Sequence, residues 1–371
     1  MTIFFAVVLG ALLYVLHRLF LAPHRAARWV REHFVAAHYG LVPREALDRR
    51  RAGPPPAPHR LQEMQAVADA AWEGDWRAAE AYVAAAGDDW DERWSRIELL
   101  QQLAGEDDAW LEAWRTARPD NCDAATVLAG RMVHKAWEIR GSEYAHEVPS
   151  ERMRQFRTLL PAAIAEARRA AVLDPENPSP WVVMVTAARG AQYDHDQFQP
   201  LWDGLTARAP YHYEGHGQAL QYWCAKWFGS DKSMMGFAEQ AVRKAPQGSP
   251  LAGMYLHALE ELVKPSAPST LPTQAAKKRL EEVAASLAEV GPDDQHLPAL
   301  RHLLAHHMMR ARMYAAALEQ FRLIGPWCGA APWRRGDGSP EVAFELARGT
   351  AAKLSRVAPS AAPPVTHPIS H

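Results

Sequence analysis

Six segments of this 371-residue chain end in the same way, and that recurrence constrains the fold more than any other feature. Three packing residues are spaced four and then three apart, and a proline follows five residues later. The sets are Asp107, Leu111, Trp114, Pro119; Ala163, Ala167, Ala170, Pro175; and Phe198, Trp202, Leu205, Pro210. Three more are Met234, Ala238, Ala241, Pro246; Leu280, Ala284, Leu287, Pro292; and Tyr314, Leu318, Phe321, Pro326. Asp107 is a poor first member, and Ala79, Tyr82 and Gly87 form a weaker relative at the front. Spacings of three and four put the packing residues on one helical face. Proline stops the helix because it lacks an N–H and drives the preceding residue out of helical geometry. Pro175 to Pro210 and Pro210 to Pro246 each span about 35 residues, the length of a two-helix repeat. Longer intervals before Pro175 and Pro292 predict insertions around Gly141–Pro149 and in the loop Lys264–Pro272.

Composition agrees with an all-α class. Ala, Leu, Glu and Arg, all strong helix formers, are abundant, and no alternating strand run is found. The 14 Trp supply contact area where Ala-rich helices are thin. Lys plus Arg total 41 against 43 for Asp plus Glu, a formal net charge of −2, so no nucleic-acid partner is expected. Cys122, Cys224 and Cys328 lie far apart without C-x-x-C spacing, which fits neither a disulfide framework nor a structural zinc site. There is no G-x-S-x-G, phosphate-cradling loop or dinucleotide fingerprint, so neither a cofactor nor a catalytic residue is assigned.

The N-terminus carries a different signal. Thr2 to Leu16 are uninterruptedly apolar, and after His17 and Arg18 the run resumes to Ala22. Residues 1–22 are predicted as a transmembrane helix, about 30 Å long, with Arg18 snorkelling to the interface. No basic side chain precedes the run and no A-x-A site follows, which disfavours a signal peptide. A buried N-terminal helix of the soluble part is the alternative. Arg18, Arg25, Arg28 and Arg31 all follow the run, which predicts a single-pass cell-membrane protein with its soluble domain cytoplasmic. Residues 23–42 read as a basic juxtamembrane helix, either in the headgroup layer or as a solvated extension of the first helix. Residues 43–60 read as a Pro/Arg-rich linker, 61–357 as the repeat domain and 358–371 as a disordered tail.

The recurring helix end resembles that of the tetratricopeptide repeat (TPR) family, most fully at Ala163, Ala167, Ala170 and Pro175. Ala167 stands where that family has an aromatic, and the Trp, Leu-Gly and Tyr of its first helices are mostly missing. The resemblance implies a TPR-like α-solenoid of antiparallel helix pairs. Tyr211 to Val242 also resembles uncharacterised bacterial families with a Lys-Trp-x-Gly-Ser turn, which implies kinship and no mechanism.

Several side chains invite chemistry. His212 and His216 share a helical face at i, i+4 and would suit zinc, but Glu214 has the wrong offset for H-E-x-x-H and no third ligand is visible. His302 and His306 form a similar pair. The stripe Leu297, Leu300, Leu304, His307, Ala311 predicts a buried His307 and places His302 and His306 on a more polar face. Packing or surface roles are the plainer reading for all of these histidines. Lys226 and Trp227 are expected at a helix end closed by Gly229 in a left-handed turn, with Ser230 or Asp231 capping the next helix. Arg140–Gly141 and Arg189–Gly190 are expected to end first helices, the glycines as C-caps and the arginines complementing the dipole. The sharper reading makes Arg140, Arg189, Trp223 and Lys226 ligand contacts, with an arginine gripping a partner's carboxylate.

Stacked helix pairs leave one groove free, so the expected function is a membrane-tethered module or scaffold for a protein or peptide partner. Self-association is a further expectation. The alternative is an enzyme or metal-binding protein with a pocket near His212, His216 and Lys226.

Overall fold

The computed structural model describes residues 22–141, 147–262, 273–335 and 338–360. In chain order its helices are α1 (Ala22–His33), α2 (Pro58–Trp72), α3 (Trp76–Ala84), α4 (Trp90–Glu106), α5 (Ala109–Ala117) and α6 (Cys122–Arg140). They continue with α7 (Ser150–Leu173), α8 (Ser179–Gly190), α9 (His195–Arg208), α10 (Tyr213–Tyr222), α11 (Asp231–Lys244) and α12 (Met254–Leu262). The last are α13 (Gln274–Ala288), α14 (Leu297–Arg310), α15 (Tyr314–Ile324), α16 (Ala331–Arg334) and α17 (Pro340–Ser355). The fold is all-α. Among the described residues the extended pairing is one parallel bridge between Asp48 and Trp327.

Helix ends fall where the prolines put them. α5, α7, α9 and α11 each stop two residues before Pro119, Pro175, Pro210 and Pro246. The residue between, Arg118, Asp174, Ala209 or Ala245, has left the helical region, with ψ of 69°, 94°, 81° and 121°. That is the geometry a following proline imposes. The packing residues ahead of each proline reach the interior: Leu111, Trp114, Ala163, Ala167, Ala170, Phe198, Leu205, Met234, Ala238 and Ala241 are buried. Starts are set locally as well, since the Asn121, Asp194 and Ser230 side chains accept from backbone N–H groups in the first turns of α6, α9 and α11.

The chain divides into two compact units, where the sequence pattern predicts one repeat domain over 61–357. Pro56–Val263 is one; Met1–Pro55 and Lys264–His371 together make the other. In Pro56–Val263, α4 packs on α6, α6 on α8, α8 on α10 and α10 on α12, while α5, α7, α9 and α11 each lie beside the helix that precedes them. Trp110, Trp114, Leu160, Phe198 and Tyr222 fill the core, and Phe198 stacks on Tyr222 at 3.7 Å. Burying a side chain of this size contributes about 1.5–3 kcal/mol. The longer interval before Pro175 is taken up partly by α6 and α7, of 19 and 24 residues.

In the other unit the residues expected to form a spacer are instead sewn onto the C-terminal helices. Asp48 N–H donates to the Pro326 carbonyl (2.8 Å) and Cys328 N–H to Asp48 (2.9 Å). Arg348, almost fully buried, pairs with Glu345 and donates to the Val42 carbonyl (2.7 Å). His302, expected on a polar face, is fully buried. Trp333 donates its indole N–H to His302 Nδ1 (2.7 Å), which leaves Nε2 as the protonated nitrogen facing the Ala52 carbonyl (2.9 Å). The local pattern missed this because Ala52 and Trp333 reach His302 from outside α14. α1, expected to be juxtamembrane, packs on α17, with the Lys353 ammonium 5.1 Å from the Trp29 ring.

Residues 1–21, which carry the expected membrane span, lie outside the described residues, as do 142–146, 263–272, 336–337 and 361–371. Both predicted insertions and the predicted tail fall largely there. Among the described residues no helix is long and apolar enough to cross a membrane.

Candidate functional site

A contiguous band of polar side chains runs along the row of α4, α6, α8, α10 and α12. Helical spacing assembles it: Glu98 and Gln101 on α4, Thr186 and Arg189 on α8, and Glu214, Gln218 and Gln221 on α10 are three or four residues apart. Neighbouring helices join the set. Arg189 Nη1 donates to Gln218 Oε1 (3.3 Å), and Gln218 Nε2 donates to Glu214 Oε1 (2.6 Å). One turn along, Gln221 Nε2 and Lys226 Nζ donate to the two oxygens of Glu261 on α12, at 2.8 and 2.7 Å.

Arg189 is the anchor of the band. Its guanidinium carbon lies 5.3 Å from the Trp137 ring and 5.3 Å from the Trp227 ring. Such placement over aromatic faces holds a charged group in a poorly solvated position. Burial pulls its pKa down, and Cys224, Glu214 and Glu261 work in the other direction. Its Nε is buried without a hydrogen-bond partner. A planar fork with unmet donors is the group that suits a carboxylate or phosphate.

The turn after α10 makes this arrangement possible. α10 stops at Tyr222, earlier than expected, so Lys226 and Trp227 sit in the turn and not at a helix end. Gly229 is not in the left-handed region; its reason is proximity. A Cβ there would lie 1.9 Å from the Trp223 carbonyl oxygen. The chain therefore folds back tightly, Phe228 offers its carbonyl to His195 Nε2 (2.7 Å), and Trp227 is set against Trp137 at 5.8 Å. Ser230 caps α11 as its residue type predicts.

The other expected residues go elsewhere. Arg140 Nη1 donates to the Gly141 carbonyl (2.9 Å) at its own helix end, where Gly141 has the positive φ expected of it. Gly190, expected as a C-cap, is instead the buried last residue of α8. Trp223 packs edge-on to His195 and Phe198. His212 caps α10 by accepting from Gly215 N–H (3.2 Å). His216 bonds the His212 carbonyl through Nδ1 (2.9 Å) and lines a cavity of about 480 Å³ with Trp202, Tyr211 and Phe237. Burial pushes its pKa down to about 4, against the raising effect of that carbonyl. Lys226 is 52% exposed and paired with Glu261, so the structure does not assemble His212, His216 and Lys226 into one pocket. His306 is half-buried beside His307 and Trp333, and its intended partner His302 is engaged elsewhere. Among the described residues no group of three or more His, Cys, Asp or Glu is placed to hold a metal. Burial raises the thiols of Cys122, Cys224 and Cys328 to about 12, 11 and 11, which makes each a weak nucleophile at neutral pH.

Sequence reasoning missed the other end of the band. Glu98 and Gln101, with Glu214, Gln218, Thr186 and His134, line a slot of about 40 Å³. Burial, and secondarily the Glu214 charge, raise the Glu98 pKa to about 7. The Trp94 indole works weakly the other way, and its N–H falls short of hydrogen-bond geometry. One signal was visible: Gln101 interrupts the apolar stripe Trp94, Ile97, Ala104, and a polar residue at a core position asks for an explanation. Searches against protein-family models, curated proteins and solved structures return no match for this chain.

Proposed function

We propose that Pro56–Val263 is a TPR-like helical-repeat interaction module that receives an acidic group of a protein or peptide partner at Arg189. The carrying observation is that guanidinium, set between Trp137 and Trp227 with a buried, unmet Nε. A desolvated cation with unsatisfied donors gains more from an incoming carboxylate than a solvated surface arginine does. The stacking of α4, α6, α8, α10 and α12 supports the reading, because a row of this kind offers an extended surface to a segment of chain. Residues 1–22 supply the membrane tether in this proposal, with the repeat on the cytoplasmic side. A C-terminal tag reporting outside the cytoplasm would overturn that orientation.

The test is crosslinking and affinity capture from membranes with the full chain and with Arg189→Gln. The expected result is a partner recovered by the native chain and at least tenfold less by the variant, a difference of about 1.4 kcal/mol or more. Equal recovery by both, or nothing above bare resin, sinks the proposal.

A further inference from the structure

The slot at the far end of the band has the opposite character from Arg189. Its charged lining is Glu98 from α4 and Glu214 from α10; no Lys or Arg is among its lining residues. Gln101 is 1% exposed, and its Nε2 has no hydrogen-bond partner. The amide occupies the space a side chain at Gly130 would take, since a Cβ there would lie 2.1 Å from Nε2. Rotation about its last bond lets this amide present Oε1 instead of Nε2 to a donor. An unmet buried amide and two neighbouring carboxylates are each unfavourable alone. The two carboxylates are relieved by one visitor, a compact positive group with several N–H donors, to which the rotated amide also offers Oε1 as an acceptor. The volume, about 40 Å³, exceeds the roughly 10–15 Å³ that a single water needs and suits an ammonium head.

We infer that the Glu98–Gln101–Glu214 slot receives the side-chain ammonium of a lysine carried by the segment that binds along this band. The inference rests on the band being a peptide surface, and it adds a second, basic requirement to the acidic one at Arg189. Gln218 sets their adjacency, because it accepts from Arg189 and donates to Glu214. The partner segment therefore carries an acidic and a basic group close together.

The experiment selects a phage-displayed 12-residue library on the full chain in detergent and measures the selected peptides individually. Lysine is expected to be enriched. Replacing that lysine by norleucine should weaken binding to the native chain at least tenfold, and should change little on the Glu98→Gln/Glu214→Gln chain. Peptides without lysine, or equal binding by lysine and norleucine forms to the native chain, overturn the inference even where the double variant fails to fold. If no peptide is selected, the peptide-surface reading falls, and the slot is judged by n-butylammonium chloride alone. A rise in melting temperature over sodium chloride for the native chain but not for Glu98→Gln supports it; equal shifts reject it.

Discussion

In the unit built from the two chain ends, His302 is fully buried and both ring nitrogens face a partner, Trp333 on one side and Ala52 on the other. In Pro56–Val263, Gln101 is as deeply buried, yet its amide nitrogen meets nothing. The two buried arginines differ less. Arg348 donates from Nε to Glu345 and from Nη1 to Val42, with Nη2 ion-paired to Glu345 but making no hydrogen bond, while Arg189 leaves Nε unmet between two tryptophans. Buried polar groups that find partners hold a fold together. Those left without partners cost stability, typically about 1–3 kcal/mol each. The difference separates a polar core that serves structure from a polar band poised for a ligand.

The sharpest way to break the comparison is Trp333→Ala. It removes a buried ring and the donor to His302 together, so a loss of about 3–5 kcal/mol is expected. Hydrogen exchange should show it at the Cys328 and Gly329 amides, which pair with Asp48 and Arg51, while amides of α4 to α10 stay protected. Equal loss of protection across Pro56–Val263 would show that the unit does not depend on this core separately.

Acid sharpens it next. Burial lowers the His302 pKa from 6.5 to about 4, so the native state refuses a proton that the unfolded chain accepts. Stability in that unit is therefore full above pH 6.5 and falls by roughly 3 kcal/mol as the pH drops to 4. In Pro56–Val263 His216 and His134, both held low by burial, act in the same direction, but Glu98 opposes them. With a folded pKa of about 7 against 4.5, Glu98 favours folding below pH 4.5 and loses that contribution as the pH rises through 7. Glu261 and Glu341, one in each unit, are both held low, so each acts in the same direction as the histidines. The chain-end unit should thus open first on acidification, read by exchange corrected for intrinsic rates. Glu98→Gln should stabilise Pro56–Val263 by up to roughly 3 kcal/mol at pH 8 and by less than about 1 kcal/mol at pH 5.

The smallest expected effects come from two glycines within one unit. Gly229→Ala forces a Cβ onto the Trp223 carbonyl, with a cost of about 1–3 kcal/mol and displacement of Trp227 from Arg189. Gly236→Ala, in α11 with nothing within 4 Å of the new atom, should stabilise by about 0.5–1 kcal/mol. Thermal melts of the two variants with the same sign would contradict the contact geometry at residue 229.

How much of this was legible depends on how far the cause lies from its effect along the chain. Proline acts on the residue before it, so the ends of α5, α7, α9 and α11 could be read directly, and the residues ahead of them are buried as their spacing predicts. Ser230 and Gly141 are equally local. Gly229 was recognised as necessary but for the wrong reason, since the obstacle is a carbonyl brought near by the turn. His302 was placed on the wrong face because the groups that bury it come from residues 52 and 333. The slot was hard to read because its lining is shared among α4, α6, α8 and α10, and only Gln101, polar within an apolar stripe, stands out in its own sequence context.

The threading of residues 48–52 onto the C-terminal helices also sets an order of events during synthesis. Pro56–Val263 is contiguous and can close as soon as it has emerged, whereas Ala52 and His302 are separated by 250 residues. At roughly 5–20 residues per second, that gap is on the order of tens of seconds. For that time the stretch with Asp48 and Ala52 has been made, and the Pro326 and Cys328 backbone and the His302 imidazole that bind it have not. The earliest described part of this protein to be made is among the last to find its place.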